Sequence, residues 1–148
     1  MLNVLIAEDH AMVRKGLVHL LQDELELDTV GEASNGRDAL ELALSRDWNV
    51  MVLDITMPIL NGYQVLRQIK LEKPNLPVVI LSMHDSLGHV EGALVQGASG
   101  YVSKEAAPEE LVAAIRSALA GEFYVSGSLR HHLKAFAAKK LTRPDRIH

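Results

Sequence analysis

The stretch Asn49-Val-Met-Val-Leu-Asp-Ile-Thr-Met-Pro58 decides how this chain is read. Val50, Met51, Val52 and Leu53 form an unbroken apolar run rich in residues that favour strands. The run is too short for a helix that crosses a domain. Bounded by turn signals, it suits a strand covered on both faces, as in a parallel sheet. It ends in a carboxylate, Asp54, and the chain then turns through Thr56, Met57 and Pro58 before Asn61-Gly62 restarts it. A single aspartate there could simply cap the turn that follows. Its meaning depends on what stands at the ends of the other strands.

Working outward, the same short runs recur. Asn3 to Ala7 reads as a buried strand stopped by Glu8-Asp9, and His10 to Gln22 shows helical spacing through Met12, Val13, Leu17, Leu20 and Leu21. Asp28 to Ala33 is a more polar second strand. Ser34-Asn35-Gly36 turns into a helix over Arg37 to Ser45. Gly62 to Glu72 is helical, Val78 to Leu81 is a fourth strand ending at Ser82, and Ser86 is placed to cap a helix over 87–96. Ala98 to Ser103 is a fifth strand ending at Lys104. Ala107-Pro-Glu-Glu opens a last helix, with proline and acids in its first turn, and Gly121 closes it. Five strand–helix units of roughly 20–25 residues, strictly alternating, predict an α/β fold: a doubly wound parallel sheet with helices on both faces.

Such sheets bind ligands at the carboxyl ends of their strands. The residues there are Glu8-Asp9, Asp54, Ser82 and Lys104. Crowded carboxylates repel unless a cation neutralises them, and a hard divalent ion such as Mg²⁺ with oxygen ligands does this. Lys104 can pair with an anion carried on Asp54, and Ser82 can donate a hydrogen bond to it. The set suits stabilisation of a phosphoryl group on Asp54, where the protein's work is positioning and charge neutralisation.

Composition narrows the alternatives. With 148 residues and 48% hydrophobic content the chain has one domain and a tail, and 4% aromatics make its core aliphatic. The absence of cysteine excludes disulfides, thiolate metal sites and cysteine nucleophiles. No apolar segment approaches the ~20 residues of a membrane span, and the N-terminus does not read as a signal peptide. A cytoplasmic location with no membrane partner is therefore expected. The net charge of -4 is uneven. Residues 1–121 hold 9 Lys/Arg and 17 Asp/Glu, and residues 122–148 hold 6 and 2. The acidic body is a poor nucleic-acid surface.

Residues 2–121 resemble the receiver domain of a two-component response regulator. The resemblance rests on Glu8-Asp9, on Asp54 followed by Met57-Pro58 and Gly62, on Ser82 and on Lys104. It implies a flavodoxin-like sheet in the order 2-1-3-4-5, with Asp54 as phosphoacceptor assisted by Lys104 and Ser82. It further implies Mg²⁺ held by Glu8, Asp9, Asp54 and the Thr56 backbone carbonyl. Tyr101 matches the family's switch aromatic, expected to fill space that Ser82 vacates on turning to the phosphoryl group. Glu105 follows Lys104 where the family usually has proline, so a trans bond is expected. Gly100-Tyr-Val-Ser-Lys-Glu-Ala and the tail are similar to the subfamily with a LuxR-type helix-turn-helix output domain.

The resemblance implies a sensor histidine kinase as phosphodonor, homodimerisation on phosphorylation, and DNA contact only through an output domain absent from this chain. Self-phosphorylation and dephosphorylation with Mg²⁺ would be its only chemistry. Domain boundaries are expected at 1–121 for the receiver and 122–148 for a basic linker. In the linker, Leu129, Leu133, Phe136 and Ala137 give a helical stripe. Either the chain is truncated or it is a short receiver acting through protein contacts. Two rivals are weaker. A haloacid-dehalogenase-type phosphatase needs a second aspartate two residues after the first, where Thr56 stands. A passive flavodoxin-like module would meet repulsion from Glu8-Asp9 at its phosphate loop.

Overall fold

The computed structural model describes residues 2–84 and 87–131. Five strands and five helices alternate: β1 Leu2–Ala7, α1 Ala11–Glu24, β2 Leu27–Ala33, α2 Gly36–Ser45, β3 Val50–Asp54, α3 Gly62–Glu72, β4 Val78–Ser82, α4 Leu87–Val95, β5 Gly100–Ser103 and α5 Ala107–Leu119. A two-residue strand, β6 Tyr124–Val125, follows. The sheet runs β2-β1-β3-β4-β5-β6 with every pair parallel. The expected order of five strands holds, and β6 extends it. Ser86, expected to cap α4, lies outside the described residues.

The unbroken apolar runs reflect a sheet buried on both faces. Along β3, Met51 and Leu53 pack into the layer of α2, α3 and α4, where Ala39, Ala43, Val65, Leu66, Ile69 and Val90 meet them. Val50 and Val52 point the other way, onto Leu17 and Leu21 of α1 and Leu111 and Ile115 of α5. Central strands β3 and β4 are buried at every position. Met12 and Val13, counted in the α1 stripe from spacing, instead lie exposed at the start of that helix.

The stretch after Gly121 departs from the helical tail expected there. Tyr124 and Val125 pair with Gly100 and Tyr101, the Ser126 N–H donates to the Tyr101 carbonyl at 3.0 Å, and Leu129 is buried within a 3₁₀ turn. Without β6, β5 would be an open edge with unpaired backbone groups. Leu133, Phe136 and Ala137 lie outside the described residues.

Two backbone features shape the turn after β3. At Gly36, the first residue of α2, an added Cβ would stand 1.9 Å from the Leu60 carbonyl oxygen, while its N–H donates to the Pro58 carbonyl. The Ser34-Asn35-Gly36 turn is thus also a helix start, with Asn35 as N-cap. Gly36→Ala sets backbone against backbone and is expected to cost about 3 kcal/mol, read as a lowered urea midpoint with an unchanged slope. A variant of wild-type stability would mean that α2 and this loop separate easily.

Ile59 is the second feature. It has φ 74°, and the Leu60 N–H donates to the Pro58 carbonyl at 2.9 Å, closing a γ-turn of the rare left-handed kind around it. For an L-residue this region costs about 1–2 kcal/mol.

Candidate functional site

Strand register assembles the site. Ile6 lies opposite Val52, so two residues further along Glu8 comes level with Asp54. Both follow residues of the α1/α5 face by even spacing, and both are fully buried. The short β5 delivers Lys104 to the same sheet end, where it opens a 3₁₀ turn, Lys104–Ala106. The Lys104 ammonium lies 2.9 Å from Glu8 Oε1 and 3.0 Å from Asp54 Oδ2.

Asp54 uses its two oxygens differently. Oδ1 accepts from the Thr56 N–H at 3.1 Å and from the Thr56 hydroxyl at 3.3 Å. The turn-capping role open to any strand-end aspartate is therefore real, and it leaves Oδ2 for Lys104. Behind Asp54, Gly62 allows α3 to start against the strand, since a Cβ there would stand 2.6 Å from the Asp54 carbonyl oxygen.

Glu8 and Asp9, equivalent by spacing, have different surroundings. Glu8 is enclosed; its Oε2 accepts from the His10 N–H at 3.0 Å, and Arg14 donates to its carbonyl at 2.7 Å. Burial pushes the Glu8 carboxyl above its ordinary range and the Asp54 charge adds to this, against the pull of the His10 N–H and Lys104. Asp9 is exposed. What burial it has would raise its carboxyl, but hydrogen bonds with Glu8 and Asp54 and the Lys104 charge outweigh it and hold the group below the usual value. Lys104 is held above the usual lysine value, burial being outweighed by Glu8 and Asp54.

One oxygen from each of Glu8, Asp9 and Asp54 lies within 4.8 Å of the other two. Oxygen ligands on Mg²⁺ at about 2.1 Å would be about 3–4 Å apart, so a small contraction brings these atoms to a shared hard cation. Three carboxylates facing one ammonium leave a formal charge deficit that such a cation would fill. The donor set fits, and it is an acidic cluster that could hold a metal ion.

Ser82 and Tyr101 stand apart from the carboxylates. Ser82 is buried, and its hydroxyl accepts from the His84 N–H at 2.9 Å; among the described residues it makes no hydrogen bond to Asp54. Tyr101 is fully buried and donates from its hydroxyl to the His84 carbonyl at 2.8 Å. In this structure the Tyr101 ring already lies inside, with its hydroxyl engaged by the His84 carbonyl. Both side chains hold the backbone of one residue, His84, whose ring stacks on His89 with centroids 4.2 Å apart. Sequence reading missed this link, since backbone donors and acceptors leave no trace in side-chain identity.

A family model described as the response regulator receiver domain matches residues 4–116. The chain is 34% identical to the response regulator UvrY of Escherichia coli over 133 residues, covering 90% of this chain and 61% of UvrY. It is 36% identical to the transcriptional regulatory protein UhpA of Salmonella typhimurium over 146 residues, covering 99% of this chain and 73% of UhpA. Thus the chain spans about three fifths of the length of UvrY. A crystal structure of a LuxR-family two-component response regulator from Aurantimonas sp. superposes with a TM-score of 0.86 at 28% identity, over 93% of this chain and 99% of that one. Among the described residues no helix is long and apolar enough to cross a membrane.

Proposed function

Because the chain belongs to the receiver-domain family of two-component response regulators, of the LuxR type, we propose that it accepts a phosphoryl group on Asp54 from a histidine of a sensor kinase. The observation that carries this reading is Lys104 bridging Glu8 and Asp54 beside Asp9. Glu8, Asp9, Asp54 and the Thr56 carbonyl would hold Mg²⁺, which would neutralise the carboxylates and phosphoryl oxygens. An Asp54 oxygen attacks phosphorus, the bond to the donor nitrogen breaks, and the electron pair stays on the departing imidazole. Lys104 passes from the carboxylate to a phosphoryl oxygen, and Ser82 turns its hydroxyl to another. Thr56, which rests on Asp54 Oδ1, has no acid group, so the phosphatase alternative lacks its proton donor. The chain acts as a signalling module, and its only chemistry is its own phosphorylation and dephosphorylation.

The test is incubation with acetyl phosphate. Mass spectrometry is expected to show one added phosphoryl group that persists with Mg²⁺ and is absent with EDTA. A phosphodonor hydrolysed without any phosphoprotein would favour the phosphatase, and no reaction would sink the reading.

The whole protein would control transcription through an output domain, with residues 1–121 as receiver and 122–148 as basic linker. At the start of the linker, β6 and Leu129 pack on the receiver. If Ser82 turns to the phosphoryl group it releases the His84 N–H, and the loop that Tyr101 also holds must shift. Beryllofluoride with Mg²⁺ is expected to tighten self-association about tenfold or more, and Ser82→Ala to blunt the gain. Analytical ultracentrifugation reads both, and an unchanged dissociation constant would exclude self-association as the output.

A further inference from the structure

Among the described residues, the buried polar or charged side chains are Glu8, Asp54, Ser82 and Ser126. The first three belong to the site. Ser126 stands on the segment after α5, and the phosphoryl chemistry does not use it. Its place follows from the ladder between β5 and β6. The Tyr124 N–H donates to the Ser99 carbonyl, and the Ser126 N–H to the Tyr101 carbonyl. In a parallel ladder the next bond would run from the Ser103 N–H to the Ser126 carbonyl. That carbonyl instead accepts from the Leu129 N–H at 2.8 Å, which opens the 3₁₀ turn Gly127–Leu129. The Ser126 hydroxyl takes over the ladder bond, accepting from the Ser103 N–H at 2.8 Å.

Ser103 immediately precedes Lys104. It is the N-cap of the Lys104–Ala106 turn and makes no side-chain cap there. No proline restricts the chain after Lys104, since Glu105 follows. The Ser126 hydroxyl therefore ties down the backbone from which Lys104 reaches Glu8 at 2.9 Å and Asp54 at 3.0 Å. The segment that carries Ser126 is itself held to the receiver. The Gly127 N–H donates to Glu110 Oε2 at 3.1 Å, Arg130 Nε donates to the Val125 carbonyl at 3.1 Å, and Leu129 is buried.

We propose that Ser126 is a positioning residue for Lys104: its hydroxyl completes β5 where the strand ends and fixes the base of the side chain that meets the phosphoryl group. This rests on the proposed phosphotransfer to Asp54 and adds a residue outside the strand ends to it. Lysine carries its charge on a flexible four-carbon stem, so a backbone left loose at its base loosens the ammonium as well. A misplacement of about 1 Å can cost about a hundredfold in rate. Ser103 is only partly buried, so water can replace the lost hydroxyl and the sheet survives its removal.

Three variants separate this role from packing. Ser126→Ala removes the hydroxyl, Ser126→Thr keeps it, and Leu129→Ala loosens the same segment with the hydroxyl in place. Each is labelled with Mg²⁺ over a range of acetyl phosphate concentrations and read by intact-mass spectrometry. Ser126→Ala is expected to lose about tenfold in the saturating rate, with a smaller change in KM. Its Mg²⁺ affinity by calorimetry is expected to stay within about twofold, because the three carboxylates are untouched. Ser126→Thr is expected to label within about twofold of wild type. Leu129→Ala is expected to lower the urea midpoint more than Ser126→Ala does, and the rate less.

A wild-type rate in Ser126→Ala would overturn the proposal. So would rates that fall in step with the urea midpoint across the variants, which would make Ser126 a packing residue. A loss that falls on Mg²⁺ binding would equally overturn it, as would a Ser126→Thr chain of wild-type stability that still labels slowly. Labelled wild type with an unaffected Ser126→Ala refutes the positioning role alone. A wild-type chain that acetyl phosphate never labels overturns it together with the phosphoacceptor reading.

Discussion

Asp54→Asn is expected to abolish labelling by acetyl phosphate and Mg²⁺ completely, while the chain stays folded. The amide oxygen can still accept from the Thr56 N–H, so the turn that Asp54 Oδ1 caps survives. The amide lacks the anionic nucleophile, so no acyl phosphate forms. One fewer carboxylate in the cluster also relieves repulsion, so stability is expected to stay within about 1 kcal/mol of wild type. Circular dichroism and a urea titration verify the fold, and intact-mass spectrometry reads the label. Undiminished labelling of the folded variant would move the phosphoacceptor elsewhere.

Lys104→Ala and Asp9→Ala are expected to differ in both Mg²⁺ affinity and stability. Among the described residues, Lys104 is the cation that touches two fully buried carboxylates. Its removal leaves Glu8 and Asp54 facing each other and is expected to cost about 3 kcal/mol without metal, softened by proton uptake at Glu8, whose carboxyl already sits high. Mg²⁺ should then bind as tightly as in wild type or more tightly, because a competing positive charge is gone. It should restore more stability to this variant than to wild type. Asp9 is exposed, so Asp9→Ala is expected to leave metal-free stability nearly unchanged and to weaken Mg²⁺ about tenfold or more by removing a ligand. Calorimetric Mg²⁺ titration and urea melts with and without metal decide between these roles. Equal weakening of Mg²⁺ by both substitutions would dissolve the separation between ligand and phosphoryl partner.

The local order of the chain was legible because it depends on nearest neighbours. The run Val50 to Leu53 is apolar throughout because strand alternation sends Met51 and Leu53 to one helical layer and Val50 and Val52 to the other. Short apolar runs like it in β1, β4 and β5, with a more polar β2, alternate with helical periods and point to a parallel sheet, and a parallel sheet puts Glu8, Asp9, Asp54, Ser82 and Lys104 at one end. What spacing left undecided was settled by contacts between segments far apart in sequence. Enclosure of Glu8 and exposure of Asp9 depend on what packs over each side chain, which adjacency in the chain does not encode. The joining of Tyr124 and Val125 to β5 depends on an open edge that exists only once the sheet is built. The tie of Ser82 and Tyr101 to His84 runs through backbone atoms, which every residue shares. The left-handed turn at Ile59 lies in a loop that Gly36 approaches at Leu60 and Gly62 approaches at Asp54, and such distances exist only in the folded chain.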